Sequence, residues 1–497
     1  MATTETDRPT VQGEVRMLID GELVEASSGK TFDNVDPATE EVLGPVADAS
    51  ADDMQRAIAA ARRAFDETDW STNGAFRQQC LRQLHEAIVS EQEALRHILV
   101  AEVGSPIALT YGPQLDAPLE DGLLWPAEMI DHFEWERELA VGTAFGQRSA
   151  RTVTREAAGV VGAIVPWNFP FEVSIQKIGQ ALATGNTMIL KPAPDTPWNA
   201  THLGRLVAEK TDIPAGVFNV VTSSDHLVGE ELTISPQVDL ISFTGSTATG
   251  KRIFEKGSAT MKRLFLELGG KSADIVLDDA DLEAKMSMAS MVCTHGGQGC
   301  VMPTRMLVQR SVYDQAVEIA TPGFANFPYG DPTDMGNLMG PQISAKQRDR
   351  VLGYIEKGKA EGARVVVGGG RAEQFEKGWF VQPTLFADVT NDMTIAREEI
   401  FGPVLIMIPF DTDEDAVRLA NDNQYGLGGY VTGSDERAMA IAKRLRAGTV
   451  GVNGGVFYGA DAPFGGYKAS GVGRQGGIEG LQQYTEVKTI SCGLPPA

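Results

Sequence analysis

Cys300, Glu267 and Asn168 are the side chains in this sequence whose types and settings could do covalent chemistry. Cys300 follows Gly296, Gly297 and Gly299 in a turn after a helix of small residues, where no side chain shields a thiol from a ligand. Its sulfur is therefore expected to be exposed and nucleophilic rather than packed as an inert core cysteine. No CxxC or HxxxH spacing accompanies it, so no metal is expected. Glu267 stands in the apolar strand LFLELGG, just before Gly269 and Gly270. A carboxylate there is either neutralised by a partner or held with a raised pKa as a general base. Asn168 lies between two prolines and two aromatics in PWNFP. That rigid setting suits a structural turn, and equally an amide donor fixed for an oxyanion.

A further stretch could hold a phosphate. In VDLISFTGSTATG an apolar strand ends at Gly245, and Ser246 and Thr247 precede a helix. Backbone amides at such a helix start can hydrogen-bond a phosphate that approaches closely. A glycine turn that merely joins strand to helix reads the same way, and the spacing is not the dinucleotide GxGxxG pattern.

These residues need a scaffold, and the alternation of short apolar strands with amphipathic helices predicts one. From Gly159 the order is VVGAIVPW, a helix over 171–183, NTMILKP, a helix over 197–210, VFNVV, a helix over 225–234 and VDLISFTG. A second block over 268–465 contains RMLVQ, VLIMIPF and TVGVN, with helical patterns at 344–361, 412–422 and 435–446. The fold class is thus α/β, with two parallel-sheet domains. Upstream, 17–23 and 41–46 read as the short strands of an opening hairpin, 52–66 as a helix and 76–103 as a second long helical pattern. Mixed-polarity segments at 134–156, joined at Gly142 and Gly146, suggest an antiparallel excursion that serves as an oligomerisation arm. The tail QQYTEVKTIS alternates like an edge strand that could pair with it or with a neighbouring subunit.

Composition narrows the function. The 497 residues are 42% hydrophobic and 22% charged, enough for two large cores. Lys plus Arg number 43 against 67 Asp plus Glu, and the net charge of -24 opposes binding to nucleic acid or anionic membranes. Four scattered cysteines point to a reducing compartment, so the protein is expected in the cytoplasm. The polar N-terminal stretch reads as neither signal nor transit peptide, and no apolar run approaches a membrane span.

PWNFP, MILKPA, FTGSTATG, LELGGKS, GQGC, EEIFGPV and PFGGYKASGVGR follow one another in this order. The chain so resembles the aldehyde dehydrogenase superfamily, in its NAD(P)-dependent, non-acylating branch, from about residue 17 to 490. The resemblance implies oxidation of an aldehyde through a thiohemiacetal and a thioester on Cys300. Glu267 would be the general base, Asn168 the oxyanion donor with the N–H of Cys300, and Lys177 part of a proton path. NAD would be held by Pro166, Trp167, Lys191, Gly245, Ser246, Glu399 and Phe401. Of these, Lys191 would meet the adenosine ribose, Ser246 the pyrophosphate, and Glu399 and Phe401 the nicotinamide ribose and ring. Phe169, Val173, Gln176, Val301, Tyr458 and Phe464 would line the substrate tunnel, an apolar set that favours an uncharged aliphatic, terpenoid or aromatic aldehyde. The implied architecture has a Rossmann-like cofactor domain (1–133 and 157–267), a catalytic domain (268–470) and an oligomerisation domain (134–156 and 471–497), in dimers or tetramers.

Two departures from the family pattern bear on function. Pro194 replaces a glutamate that binds the adenosine ribose, so NADP is expected to be tolerated beside NAD. Asp195 is expected to face solvent or start the next helix, and Lys210 is the nearest lysine for a 2′-phosphate. Gln475 replaces a glutamate in the proton path. Glu486 is expected to bridge Arg263 and Arg474. Transfer of the acyl group to coenzyme A is the alternative chemistry, against which Glu267 argues for water, and a non-enzymatic structural role conflicts with intact Cys300, Glu267 and Asn168.

Overall fold

The strands Val160–Ile164, Thr187–Lys191 and Leu240–Thr244 are apolar and buried almost throughout, a pattern that requires cover on both faces of a sheet. The computed structural model describes residues 11–495; the stretch before residue 11 and the last two residues, with the expectations that fall on them, lie outside it. Among the described residues these strands belong to an eight-stranded sheet ordered Gly471–Val472, Arg263–Glu267, Leu240–Thr244, Val160–Ile164, Thr187–Lys191, Phe218–Val220, Met17–Ile19 and Glu22–Val24. The run from Arg263–Glu267 to Phe218–Val220 is parallel, and both outer edges are antiparallel.

A seven-stranded sheet follows the order Arg364–Val367, Thr384–Ala387, Val404–Phe410, Arg305–Gln309, Ala273–Val276, Gly428–Thr432 and Thr449–Val452, parallel except at its first pair. Thr485–Leu494 pairs antiparallel along Gln147–Ala157, which pairs with Glu136–Ala144. The excursion and the tail therefore make one three-stranded sheet. No helix among the described residues is long and apolar enough to cross a membrane.

Three local expectations change. The opening strands do not form one hairpin: Met17–Ile19 pairs with Glu22–Val24, and Val42–Ala47 pairs with Thr31–Val35. The helical pattern over 76–103 is two helices, Gly74–Ser90 and Gln92–Val103, broken where Glu91 leaves helical geometry. The break turns the Glu91 carboxylate toward Arg205, Lys210 and His202 on the helix Trp198–Lys210, so packing overrides a continuous helical period. Finally, Gly471–Val472 closes an edge of the eight-stranded sheet, so the boundary expected at 471 falls inside that sheet.

One buried carboxylate secures the helix that follows Lys191. Glu102 is fully buried and accepts N–H donors from Asn34, from the side chain of Asn199 and from the backbones of Trp198 and Asn199. Burial raises its pKa to about 7 against the pull of those donors. Replacing Glu102 with Ala strands the donors, and we expect a loss of about 3 kcal/mol of stability. A denaturant midpoint equal to that of the wild type would contradict this.

Candidate active site

The site is built where the ends of the two parallel sheets meet, and backbone proximity fixes it. Glu267 is the last residue of Arg263–Glu267, and Gly269 and Gly270 follow it directly. A Cβ on Gly270 would lie 2.4 Å from the Cys300 carbonyl oxygen, and one on Gly269 would lie 2.3 Å from a Glu399 carboxylate oxygen. Only glycines allow the nucleophile loop and Glu399 to come this close. The Gly270 N–H donates to Glu399 Oε1 at 2.8 Å.

The loop that carries Cys300 is not the simple helix and turn expected. Residues Ala289–Gly297 form tight 3-10 turns that kink at Thr294, His295 and Gly296. His295, Gly296 and Gly297 have φ of 55°, 66° and 67°. A Cβ on Gly297 would meet the Gly402 carbonyl oxygen at 2.1 Å, which ties the nucleophile loop to the segment after Phe401. Cys300 is half-buried rather than laid open. Burial, and next the neighbouring Glu267 carboxylate, push its pKa well above that of an ordinary thiol. The thiol and the Glu267 carboxyl lie close enough for each to shift the other's protonation.

Burial raises Glu267 to about 7, opposed by the neighbouring Cys300 thiol and by the Lys177 ammonium. Its Oε1 is buried without a hydrogen-bond partner. A carboxyl in that state exchanges protons near neutrality. Lys177 is buried, with its pKa lowered to about 7 by burial, and its Nζ donates to Ser242 Oγ at 3.0 Å. Ser242 Oγ in turn lies 2.8 Å from the Tyr484 hydroxyl. A longer contact of 3.5 Å runs from Lys177 Nζ to Gln475 Oε1, while Gln475 Nε2 has no partner.

Asn168 is held from several sides. Its Nδ2 donates to the Gln298 carbonyl at 2.9 Å, and its own carbonyl accepts from Gln114 Nε2 at 2.9 Å and lies 2.8 Å from His295 Nε2. One amide hydrogen is thus engaged and the second is free to face a ligand. The sequence reading missed Gln114, His295 and Gln298, because nothing in their local pattern marks them. Burial lowers His295 to about 4, which keeps the ring neutral.

On the dinucleotide side, Pro166 and Trp167 are half-buried in the loop after Val160–Ile164, and Trp167 meets Phe401 edge to face at 5.4 Å. Gln347 donates to the Phe401 carbonyl at 2.8 Å and so anchors a residue with φ of 60°. Lys191 ends its strand with Nζ near two backbone carbonyls, Pro192 at 3.1 Å and Ser223 at 3.3 Å, and burial lowers it to about 8. Gly245 and Ser246 lead into Thr247–Gly257; Ser246 caps that helix by accepting from the Thr249 N–H, and the buried Thr244 hydroxyl just before them has no partner. Burial, and next the Gly270 N–H acting in opposition, set Glu399 at about 7.

The remaining expectations resolve unevenly. Asp195 is half-buried rather than turned to solvent, and lies near enough to Lys346 and Lys191 to be attracted by both. Lys210 is engaged by Glu91 at 2.7 Å and by Ser90, which removes it as a phosphate contact. Glu486 pairs with Arg263 at 2.7 Å, whereas Arg474 donates to the Gly466 and Gly473 carbonyls.

Among the tunnel residues, Phe169 packs against His295 at 5.2 Å, and the Tyr458 and Phe464 rings stack at 5.8 Å. Val173 and Gln176 are half-buried on the helix Pro170–Ala183, and Val301 is buried against Gly428. Glu172, which the sequence reading passed over, is half-buried between them, and its Oε1 accepts from Gln176 Nε2 at 3.3 Å.

A thiol beside a carboxyl, a fixed amide and a buried lysine make a constellation for acyl chemistry, and comparison with known proteins decides the family. Residues 23–490 match the model of the Aldehyde dehydrogenase family. The chain belongs to that family. It is 41% identical over 478 residues to the 3-succinoylsemialdehyde-pyridine dehydrogenase of a Pseudomonas sp, covering 95% of this chain and 97% of that protein. The aldehyde dehydrogenase KauB from Pseudomonas aeruginosa is 39% identical with a TM-score of 0.93, each chain covered to 97%. An aldehyde dehydrogenase from Bacillus cereus, solved as its NAD+ complex, is 38% identical with a TM-score of 0.92, again with 97% of each chain covered. The two-sheet α/β architecture is therefore that of aldehyde dehydrogenases.

Proposed function

We propose that this aldehyde dehydrogenase oxidises its substrate to the carboxylic acid with NAD+ and water. The observation that carries the reading is the Cys300 thiol beside a Glu267 carboxyl that has one oxygen buried and unpartnered. The dinucleotide site passes a chemical test of fit: a buried ammonium held only by backbone carbonyls, an unpartnered hydroxyl at Thr244 and a capped helix start lie along one side of the sheet. Pro166, Trp167, Lys191, Gly245, Ser246, Glu399 and Phe401 would hold NAD+, which when bound supplies a nicotinamide ring that accepts a hydride.

In this reading Glu267 takes the Cys300 proton as the sulfur bonds to the aldehyde carbon. The Asn168 amide and the Cys300 N–H stabilise the resulting thiohemiacetal oxyanion, each such donor being worth about 10² to 10³ in rate. After oxidation to the thioester, Glu267 removes a proton from water as the water attacks the acyl carbon. Collapse breaks the C–S bond, releases the acid and returns the thiol. Lys177, close enough to Glu267 for their charges to interact and oriented by Ser242 and Tyr484, would take the Glu267 proton, while Gln475, a neutral amide, cannot. Water rather than coenzyme A is the acyl acceptor, because Glu267 has no other task at its free oxygen. The four unpaired cysteines suit a reducing, cytoplasmic setting.

Cys300→Ala is expected to abolish turnover while NAD+ binding survives, and Glu267→Gln, which weakens both thiol activation and water attack, to give a slowed single burst of reduced cofactor without a steady state. Full turnover in either variant, followed by cofactor absorbance, would overturn these roles.

Cofactor choice follows from Pro194, which is exposed and can neither hold a 2′-hydroxyl nor repel a 2′-phosphate. The neighbouring Asp195 carboxyl supplies the remaining bias toward NAD. We expect kcat/KM for NAD and NADP to differ by no more than about a hundredfold, ~2.7 kcal/mol. Pro194→Glu should widen that gap, and complete rejection of NADP by the wild type would assign the whole discrimination to Asp195.

Assembly is part of the same reading. Among the described residues both edges of the three-stranded sheet lack a partner strand, and Val487, Ile490 and Val141 are each more than half exposed on it. We assign this sheet to a homo-oligomer, a dimer or tetramer. Light scattering at micromolar concentration should give a multiple of the chain mass, and a monomer would refute it.

A further inference from the structure

The helix Pro170–Ala183 is buried on every residue except Glu172, Val173 and Gln176. Together with Phe169 these positions follow a spacing of three and four, which places them on one stripe of the helix. Phe169, Val173 and Gln176 are the tunnel positions of this helix, so Glu172 belongs to the same wall. Tyr458, which Glu172 is near enough to influence, belongs to an aromatic cluster: it stacks on Phe464, and Phe457 packs against both Tyr458 at 4.8 Å and Tyr430 at 5.7 Å.

The carboxylate is near enough to the reacting centre to act on the Cys300 thiol and the Tyr458 phenol, raising both, and Glu267 acts on it in turn. Its one hydrogen-bond donor is the neutral Gln176 amide, and no lysine, arginine or histidine pairs with it among the described residues. Burial, and next Glu267, raise its pKa to about 8. The helix start favours a carboxylate in its first turn, which accounts for an acid at this position in an exposed helix but not in a half-buried wall beside a second carboxyl. An acid in an apolar, aromatic passage with no cation of its own is completed by a cation from the ligand.

We infer that Glu172, with the neighbouring tyrosine and phenylalanine rings, forms a subsite for a cationic group, so that the preferred substrates are aldehydes carrying an ammonium group at the end remote from the carbonyl. This rests on the aldehyde-oxidising reading and replaces the uncharged substrates expected from a tunnel list that omitted Glu172.

The test compares two aldehydes of the same shape, 4-(trimethylammonio)butanal and the neutral 5,5-dimethylhexanal, with the full-length enzyme and NAD+. The cation should be favoured in kcat/KM by about tenfold or more, chiefly through KM. Glu172→Gln, which keeps size and the Gln176 contact, should remove most of that preference. As a measurement independent of turnover, trimethyl(propyl)ammonium should bind the wild type in calorimetry and bind Glu172→Gln about tenfold more weakly. Oxidation of both aldehydes with equal or reversed preference would overturn the subsite and leave the aldehyde-oxidising reading intact. Binding of the ammonium probe to the wild type alone, with neither aldehyde oxidised, would uphold the subsite and sink the oxidation reading. Equal binding of the probe to wild type and variant would overturn the assignment to Glu172.

Discussion

The site depends on backbones that touch where side chains would collide. Gly269 and Gly270 let the end of one sheet press against Glu399 and the Cys300 carbonyl, and Gly297 does the same against Gly402. Each contact joins a segment near the first sheet to one near the second, or the nucleophile loop to the Glu399–Phe401 loop. Cys300, Glu267 and the Glu399–Phe401 loop are thereby held in register largely by steric exclusion. A methyl group at Gly270 or Gly297 would meet backbone of the Cys300 loop or of Gly402, and one at Gly269 would displace the Glu399 carboxylate.

Within that frame the electrostatics are lopsided. Glu267, Glu399 and Glu172 are carboxyls drawn up toward neutrality by burial, and Lys177 is an ammonium drawn down to meet them. Such a cluster exchanges protons at little cost, because neither the charged nor the neutral form is strongly preferred. The same burial raises the Cys300 thiol, so its activation has to come from Glu267 and not from a standing positive charge. Nucleophile and base are in effect one titrating unit.

Much of this was legible in the chain. The alternation of apolar strands and amphipathic helices gives both parallel sheets, whereas the glycines around Cys300 read as access for a ligand rather than as close approaches of backbone. The illegible parts have physical reasons. The continuous helical period over 76–103 conceals a break at Glu91, because the gain comes from Arg205, Lys210 and His202, residues far along the sequence. Glu172 reads as an ordinary first-turn acid, since helix geometry alone does not say which stripe faces a cavity. Gln114 and His295 reach Asn168 across the fold and carry no local signature. Cys300 was expected to be open because its neighbours lack side chains, yet that absence is what lets other backbones close over it.

The bond between Ser242 and Tyr484 spans 242 residues and ends one residue before the strand Thr485–Leu494 begins. Gln475, the other neighbour of Lys177, also comes from this late part of the chain. As the polypeptide leaves the ribosome, Cys300, Glu267, Asn168 and Ser242 are made long before Gln475 and Tyr484, which complete the surroundings of Lys177. In the proposed mechanism the nascent protein therefore carries its thiol before the residues around Lys177 are all present, and the site is complete only once the tail pairs along Gln147–Ala157. Order of synthesis thus acts as a safeguard: a half-made chain holds a thiol and an acid, but not a working enzyme.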